Sequence, residues 1–82
     1  MSSKLIAKTV INFCDGDEEL SVTYNGLINL QEGDIINLRG SKEMLVSNGN
    51  YVIRRGHISN QMTLHSNKPD SIYRYLECEK LS

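Results

Sequence analysis

Tyr51-Val52-Ile53-Arg54-Arg55-Gly56-His57-Ile58-Ser59 is the stretch on which the fold turns. It begins as a buried β-strand and then sets two arginines and a histidine around a glycine. With Tyr51 and Ile53 facing a core, strict alternation also buries Arg55 and His57 and exposes Val52 and Ile58. An unpaired buried arginine costs too much to accept. One extra residue at Arg55-Gly56, a β-bulge in which glycine takes positive φ at little cost, restores the phase. Ile58 then returns to the core, and Arg54, Arg55 and His57 stand outside the bend. The alternative is a strand ending at Arg55, with Gly56 to Gln61 as a loop. Bulges re-aim side chains beside functional sites and also bend strands to close small barrels, and both roles stay open here.

Outward from that stretch, turn chemistry recurs about every ten residues, a spacing typical of antiparallel sandwiches and barrels. It falls at Asp15-Gly16-Asp17, Asn25-Gly26, Glu32-Gly33-Asp34, Arg39-Gly40-Ser41, Asn48-Gly49-Asn50 and Asn67-Lys68-Pro69-Asp70. Asn25-Gly26 and Asn48-Gly49 are the strongest hairpin signals, because both residues of a type I′ turn need positive φ. Leu5 to Phe13 puts Leu5, Ala7, Thr9, Ile11 and Phe13 on one face. Leu20, Val22 and Tyr24 alternate with Ser21 and Thr23, and a short segment Leu27 to Leu30 follows. Ile35 to Leu38, Glu43 to Ser47, Asn50 to Ile53, and Met62 with Leu64 complete six to seven short strands.

Residues 71–81 admit two readings. Asp70 or Ser71 after Pro69 can cap a helix carrying Ile72, Tyr75, Leu76 and Glu79 along one side. As a strand, the segment puts Ile72, Leu76 and Cys78 on one face with Arg74 as an exception, and Tyr73, Tyr75, Glu77 and Glu79 on the other. The strand is preferred, since Tyr and Ile favour it. The expected fold is therefore an all-β antiparallel barrel or sandwich of one domain, residues 1–82, with the C-terminal helix as the alternative. Glu32-Gly33-Asp34-Ile35-Ile36 resembles the turn that leads into a strand in SH3-like and OB-like barrels. That resemblance implies topology only and carries over no functional residue.

Nine basic and ten acidic residues leave a net charge of −1, unlike a general nucleic-acid binder. Asp15, Asp17, Glu18, Glu19, Glu32 and Asp34 form an acidic stretch without Lys or Arg, whereas Arg39, Lys42, Arg54 and Arg55 then oppose only Glu43. Such two-signed charge suits head-to-tail self-association or a charged partner, provided that it stays separated in space. No apolar run reaches the roughly 20 residues of a membrane span, and the N-terminal apolar stretch is too short for a signal peptide. Two cysteines are too few for a secreted disulfide framework, so a soluble, cytoplasmic chain with reduced thiols is expected. A single bridge requires the terminal strands to be neighbours.

Several chemistries are disfavoured. Counting an EF-hand from Asp15 puts Leu20 where glycine is required and Gly26 where a carboxylate is required. Cys14, His57, His65 and Cys78 are metal-competent, but none forms a close ligand pair, so no metal or cofactor is expected. Cys14 with a histidine makes a nucleophile only on paper, without a nucleophile elbow or phosphate loop, and the chain is not expected to be an enzyme. The remaining site candidates are Tyr51, Arg54, Arg55, His57, Arg39 and Lys42. They fit first a face that docks a protein partner or a second copy, since Arg and Tyr are favoured at hot spots. RNA or single-stranded DNA comes second, and a small anion held between subunits third. Abundant asparagine and isoleucine suit a low-GC bacterium or its phage.

Overall fold

In the computed structural model, which describes residues 5–40, 46–62 and 70–81, the chain forms one curled half-barrel sheet of five strands. They are β1 (Leu5–Asp15), β2 (Glu18–Asn25), β3 (Ile35–Leu38), β4 (Gly49–Gln61) and β5 (Asp70–Lys80), in the spatial order β2-β1-β5-β4-β3. β1 and β5 run parallel and the other pairs antiparallel. Five strands, not six to seven, are present among the described residues. The first arm of the expected Asn48-Gly49 hairpin, Glu43 to Ser47, and the strand through Met62 and Leu64 lie partly outside them, whereas the second arm, Asn50 to Ile53, is part of β4.

The C-terminal segment is strand throughout, and no helix forms. Its position explains why the capping signal loses: β5 is hydrogen-bonded to β1 on one side and to β4 on the other. A helix at 71–81 would strip both neighbours of their ladders. The alternation read from the sequence holds, and rows of side chains run across the inner face. Leu20, Phe13, Cys78 and Ile53 make one row, and Val22, Ile11, Leu76 and Gly56 the next. Phe13, Ile11, Ile53, Leu76 and Cys78 are buried core. Tyr51 closes this core edge-on to Phe13, with ring centroids 5.2 Å apart.

The third inner row is polar, running Tyr24, Thr9, Arg74, Ile58. Both polar members hold the segment from Gly26 to Asp34, which crosses the inner face from β2 towards β3. The Thr9 hydroxyl donates to the Gly26 carbonyl at 2.8 Å and accepts the Ile28 N–H at 2.9 Å. The Arg74 guanidinium donates to the Leu30 carbonyl. At the far end the Gly33 N–H donates to the Ile53 carbonyl, and the Ile53 N–H to the Asp34 carbonyl, each at 2.9 Å. The short segment Leu27 to Leu30 is thus part of a strap, and no strand forms there. Asn25-Gly26 accordingly starts a crossing where a hairpin was expected, while the tight β1–β2 turn falls at Gly16-Asp17, within the expected Asp15-Gly16-Asp17 turn. Arg74 ceases to be an exception, because its charge-bearing group satisfies a strap carbonyl.

Candidate functional site

The phase of β4 shifts where Ile53 pairs with Cys78 and Arg55 with Glu77, leaving Arg54 as the extra residue. Val52, Arg54, Arg55 and His57 therefore share the outer face, as the bulge reading requires. The bulge is at Arg54 instead of Arg55-Gly56, and Gly56 has no positive φ. Its role is spatial: a Cβ there would lie 3.0 Å from Leu76 Cδ2. Ile58 rejoins the inner row but is 54% exposed, so it does not return to the core. It stands at the open end of the half-barrel, where a pocket of about 400 Å³ is lined by Leu30, Gly56, Ile58, Arg74 and Leu76 among others.

On the outer face, register puts Val10, Tyr75 and His57 in one row and Lys8, Tyr73 and Ser59 in the next. The His57 and Tyr75 rings stack at 4.9 Å and 21°, and Tyr75 and Tyr73 follow at 6.2 Å and 20°. A shallow groove of about 450 Å³ runs beside them over Val10, Asn12, Ser21 and Arg55. Arg54 Nε lies 3.1 Å from Glu79 Oε2, and Arg55 Nε 3.7 Å from Glu77 Oε2. These pairs are well exposed, so each is worth little in stability, but they neutralise the patch that the arginines would otherwise form.

The predicted site residues thus separate. Arg54, Arg55 and His57 are neighbours on the outer face. Tyr51 is fully buried, its hydroxyl donating to the Ser47 carbonyl at 2.6 Å, and offers no ring to a partner. That corrects its place in the site: the alternation that put Tyr51 inside prevails over its residue type. Arg39 is at the end of β3 and donates through Nε to Asn37 Oδ1 at 2.7 Å, away from the ring row. Lys42 lies outside the described residues. Tyr73 and Tyr75 were missed as site residues, although their spacing of two on the face opposite Leu76 and Cys78 was the available signal.

Folding sets counter-charges beside part of the charge pattern seen along the sequence. Strand β5 threads Glu77 and Glu79 beside the arginines, and Lys80 Nζ lies 4.0 Å from Asp15 Oδ2. Asp15 also accepts from the Ser47 hydroxyl at 2.7 Å and the Ser47 N–H at 3.1 Å, bonds that lower its carboxyl pKa. Cys14 and Cys78 lie on neighbouring strands but on opposite faces of the sheet, and both are free. Burial, followed by the nearby Glu19, raises the pKa of the Cys14 thiol, which is the reverse of what a nucleophile needs. Among the described residues no cluster of His, Cys, Asp and Glu is arranged to hold a metal ion, and no helix is long and apolar enough to cross a membrane.

The edge of β4 is the least satisfied feature. β3 pairs only with Gly49 to Val52, and the strap takes both backbone groups of Ile53. From Arg54 to Gln61 the strand has β5 on one side and no strand on the other among the described residues. Every residue of that stretch is exposed. At roughly 3.3 Å per residue this leaves about 25 Å of sheet edge along which alternate residues direct their N–H and C=O groups away from β5. No protein-family model, no curated protein and no solved structure matches this chain.

Proposed function

We propose that this chain is a non-enzymatic interaction module that docks a protein partner, or a copy of itself, by adding a strand to the open edge of β4. The observation that carries this reading is the edge from Arg54 to Gln61, which no strand among the described residues pairs. Strand addition supplies main-chain hydrogen bonds along such an edge, and alternate side chains of the added strand gain contacts on both faces. Here the inner face offers Ile58 and the pocket behind it, and the outer face offers His57 and Arg55. The protein would act as a cytoplasmic accessory factor of a bacterium or phage.

The test is site-specific photo-crosslinking in cells that express the protein natively, with a reactive side chain at Ser59 or Gln61 and a control at Thr23 on β2. Adducts from the β4 positions and none from Thr23 support the reading. Equal crosslinking at both places, or none at β4, removes it.

A second reading, binding of RNA or single-stranded DNA, draws on the His57, Tyr75 and Tyr73 rings flanked by Lys8 and Arg55. Stacked aromatics beside cations are the usual platform for unpaired bases. The carboxylates of Glu77 and Glu79 oppose it. Salt-sensitive oligonucleotide binding that disappears in Tyr73→Ala/Tyr75→Ala would favour this reading, whereas binding unaffected by that change would exclude the platform.

A further inference from the structure

We infer that the occupant of the β4 edge is the β4 edge of a second copy, paired antiparallel about a twofold axis at Ile58. This deepens the strand-addition reading and rests on it. Two limits set the open stretch. At one end Ile53 is committed to Gly33 and Asp34 and Arg54 is the bulge residue, so regular pairing begins at Arg55. At the other, the strand ends at Gln61 with Met62 following. The midpoint of 55 to 61 is Ile58, so a twofold there engages the whole regular open edge, whereas any other centre leaves part unpaired or collides with the strap.

The register that follows is self-complementary. Ile58 opposes Ile58 of the second copy, His57 opposes Ser59, Gly56 opposes Asn60 and Arg55 opposes Gln61. No like charges meet, and directly opposed like charges are what an antiparallel ladder tolerates least. The stretch from Gly56 to Met62 contains no Lys, Asp, Glu or Pro, the residues that usually guard an edge. Its two apolar side chains are among the exposed large hydrophobics of the described residues, Ile58 at 54% and Met62 at 75%. Pairing covers Ile58 at the axis. It also turns two five-stranded half-barrels into one continuous sheet, an isologous interface that closes on itself and does not propagate.

An interface of one strand pair is smaller than a standard one, so the dimer dissociates on dilution. The experiment is sedimentation velocity of the full chain over a concentration series, for the wild type, Ile58→Lys and Tyr24→Lys. Lysine at 58 sets two charges face to face at the axis. Tyr24 is on the β2 edge and serves as the control. The expected result is a wild-type dimer, at least about a hundredfold weaker in Ile58→Lys with unchanged circular dichroism, and intact in Tyr24→Lys.

Should Ile58→Lys fail to fold, Ile58→Cys gives the second measurement. Opposed Cα atoms in an antiparallel pair are about 4.5 to 5.5 Å apart, within disulfide reach, so mild oxidation should link Ile58→Cys chains covalently and leave the wild type unlinked. A dimer that persists in Ile58→Lys, or one that Tyr24→Lys dissolves, overturns the inference. A wild type that stays monomeric at several hundred micromolar also overturns it. In that last case strand addition itself survives if the Ser59 and Gln61 crosslinks join β4 to a different protein, and falls if they join it to nothing.

Discussion

Replacing Thr9 with valine tests whether the strap is held by the inner polar row. Valine keeps the shape and β-branching of threonine but removes a hydroxyl that is fully buried. Two strap groups then lose their partner, the Gly26 carbonyl and the Ile28 N–H. A buried polar group left unsatisfied costs about 1–3 kcal/mol. Gly26 and Ile28 are half-buried, so the lower part of that range applies to each, and the sum is about 3 kcal/mol. A chain of this length has a total stability of about 4–12 kcal/mol, so the loss is a large fraction of it. The melting temperature should fall by roughly 12–24 °C. Urea unfolding followed by circular dichroism gives the free energy directly, and Thr9→Ser, which keeps the hydroxyl and loses one methyl, should fall by only about 1 kcal/mol. If Thr9→Val is as stable as the wild type, or less damaging than Thr9→Ser, the strap is not anchored in this way.

Three further outcomes follow from other parts of the fold. Gly56→Ala puts a Cβ 3.0 Å from Leu76 Cδ2 and 3.6 Å from the Tyr75 carbonyl oxygen, and Leu76 is packed in the core. Overpacking outweighs the entropic gain of removing glycine, giving a net loss of about 1–2 kcal/mol by denaturant unfolding, and a variant more stable than the wild type would refute the spatial role. Bonds from the Ser47 hydroxyl and N–H hold the Asp15 carboxyl below its ordinary 3.8, with Lys80 adding to the effect. A depressed folded pKa contributes stability that is present above 3.8 and lost as pH falls through the folded value. Ser47→Ala should therefore flatten the acid limb of the stability curve, and an NMR titration should show the Asp15 carboxyl returning towards 3.8. Burial pushes the Cys78 thiol up to about 11. At pH 8 iodoacetamide should label Cys78 only after unfolding, and rapid labelling of the native protein, read by mass spectrometry, would contradict its placement in the core.

Much of the local pattern was legible because it depends on period two alone. The inner faces of β1, β2 and β5 follow from apolar alternation, and the phase shift in Tyr51–Ser59 follows from the cost of burying Arg55. What escaped depends on which strands become neighbours. Arg74 looked anomalous because the strap that uses it is distant in sequence, with Leu30 forty-four residues away. Asn25-Gly26 looked like a hairpin because a positive φ serves a crossing as readily as a tight turn. The charge pattern misled for the same reason, since the carboxylates that meet Arg54 and Arg55 come from β5. Gly56 was given a conformational role where the actual constraint is Leu76, a contact that only the β4–β5 register creates.

The bulge, the strap and the open edge are physically coupled, which is why the edge is where it is. Ile53 is the last β4 residue to direct its N–H and C=O to the β3 side in an occupied ladder, and the groups it meets belong to Gly33 and Asp34 at the end of the strap. Because the strap must arrive there from across the inner face, β3 can begin only at Ile35 and can run only away from the open end, towards Gly49. The extra residue at Arg54 comes directly after that junction and advances the alternation by one. Without it, Arg55 and His57 would face inward against Leu76 and Arg74, and their outer places would fall to Gly56 and Ile58. The bulge therefore keeps β4 hydrogen-bonded to β5 beyond the point where β3 can follow. It preserves a long strand with one ladder satisfied and the other open, and it turns Ile58 to the inner face at the middle of that opening.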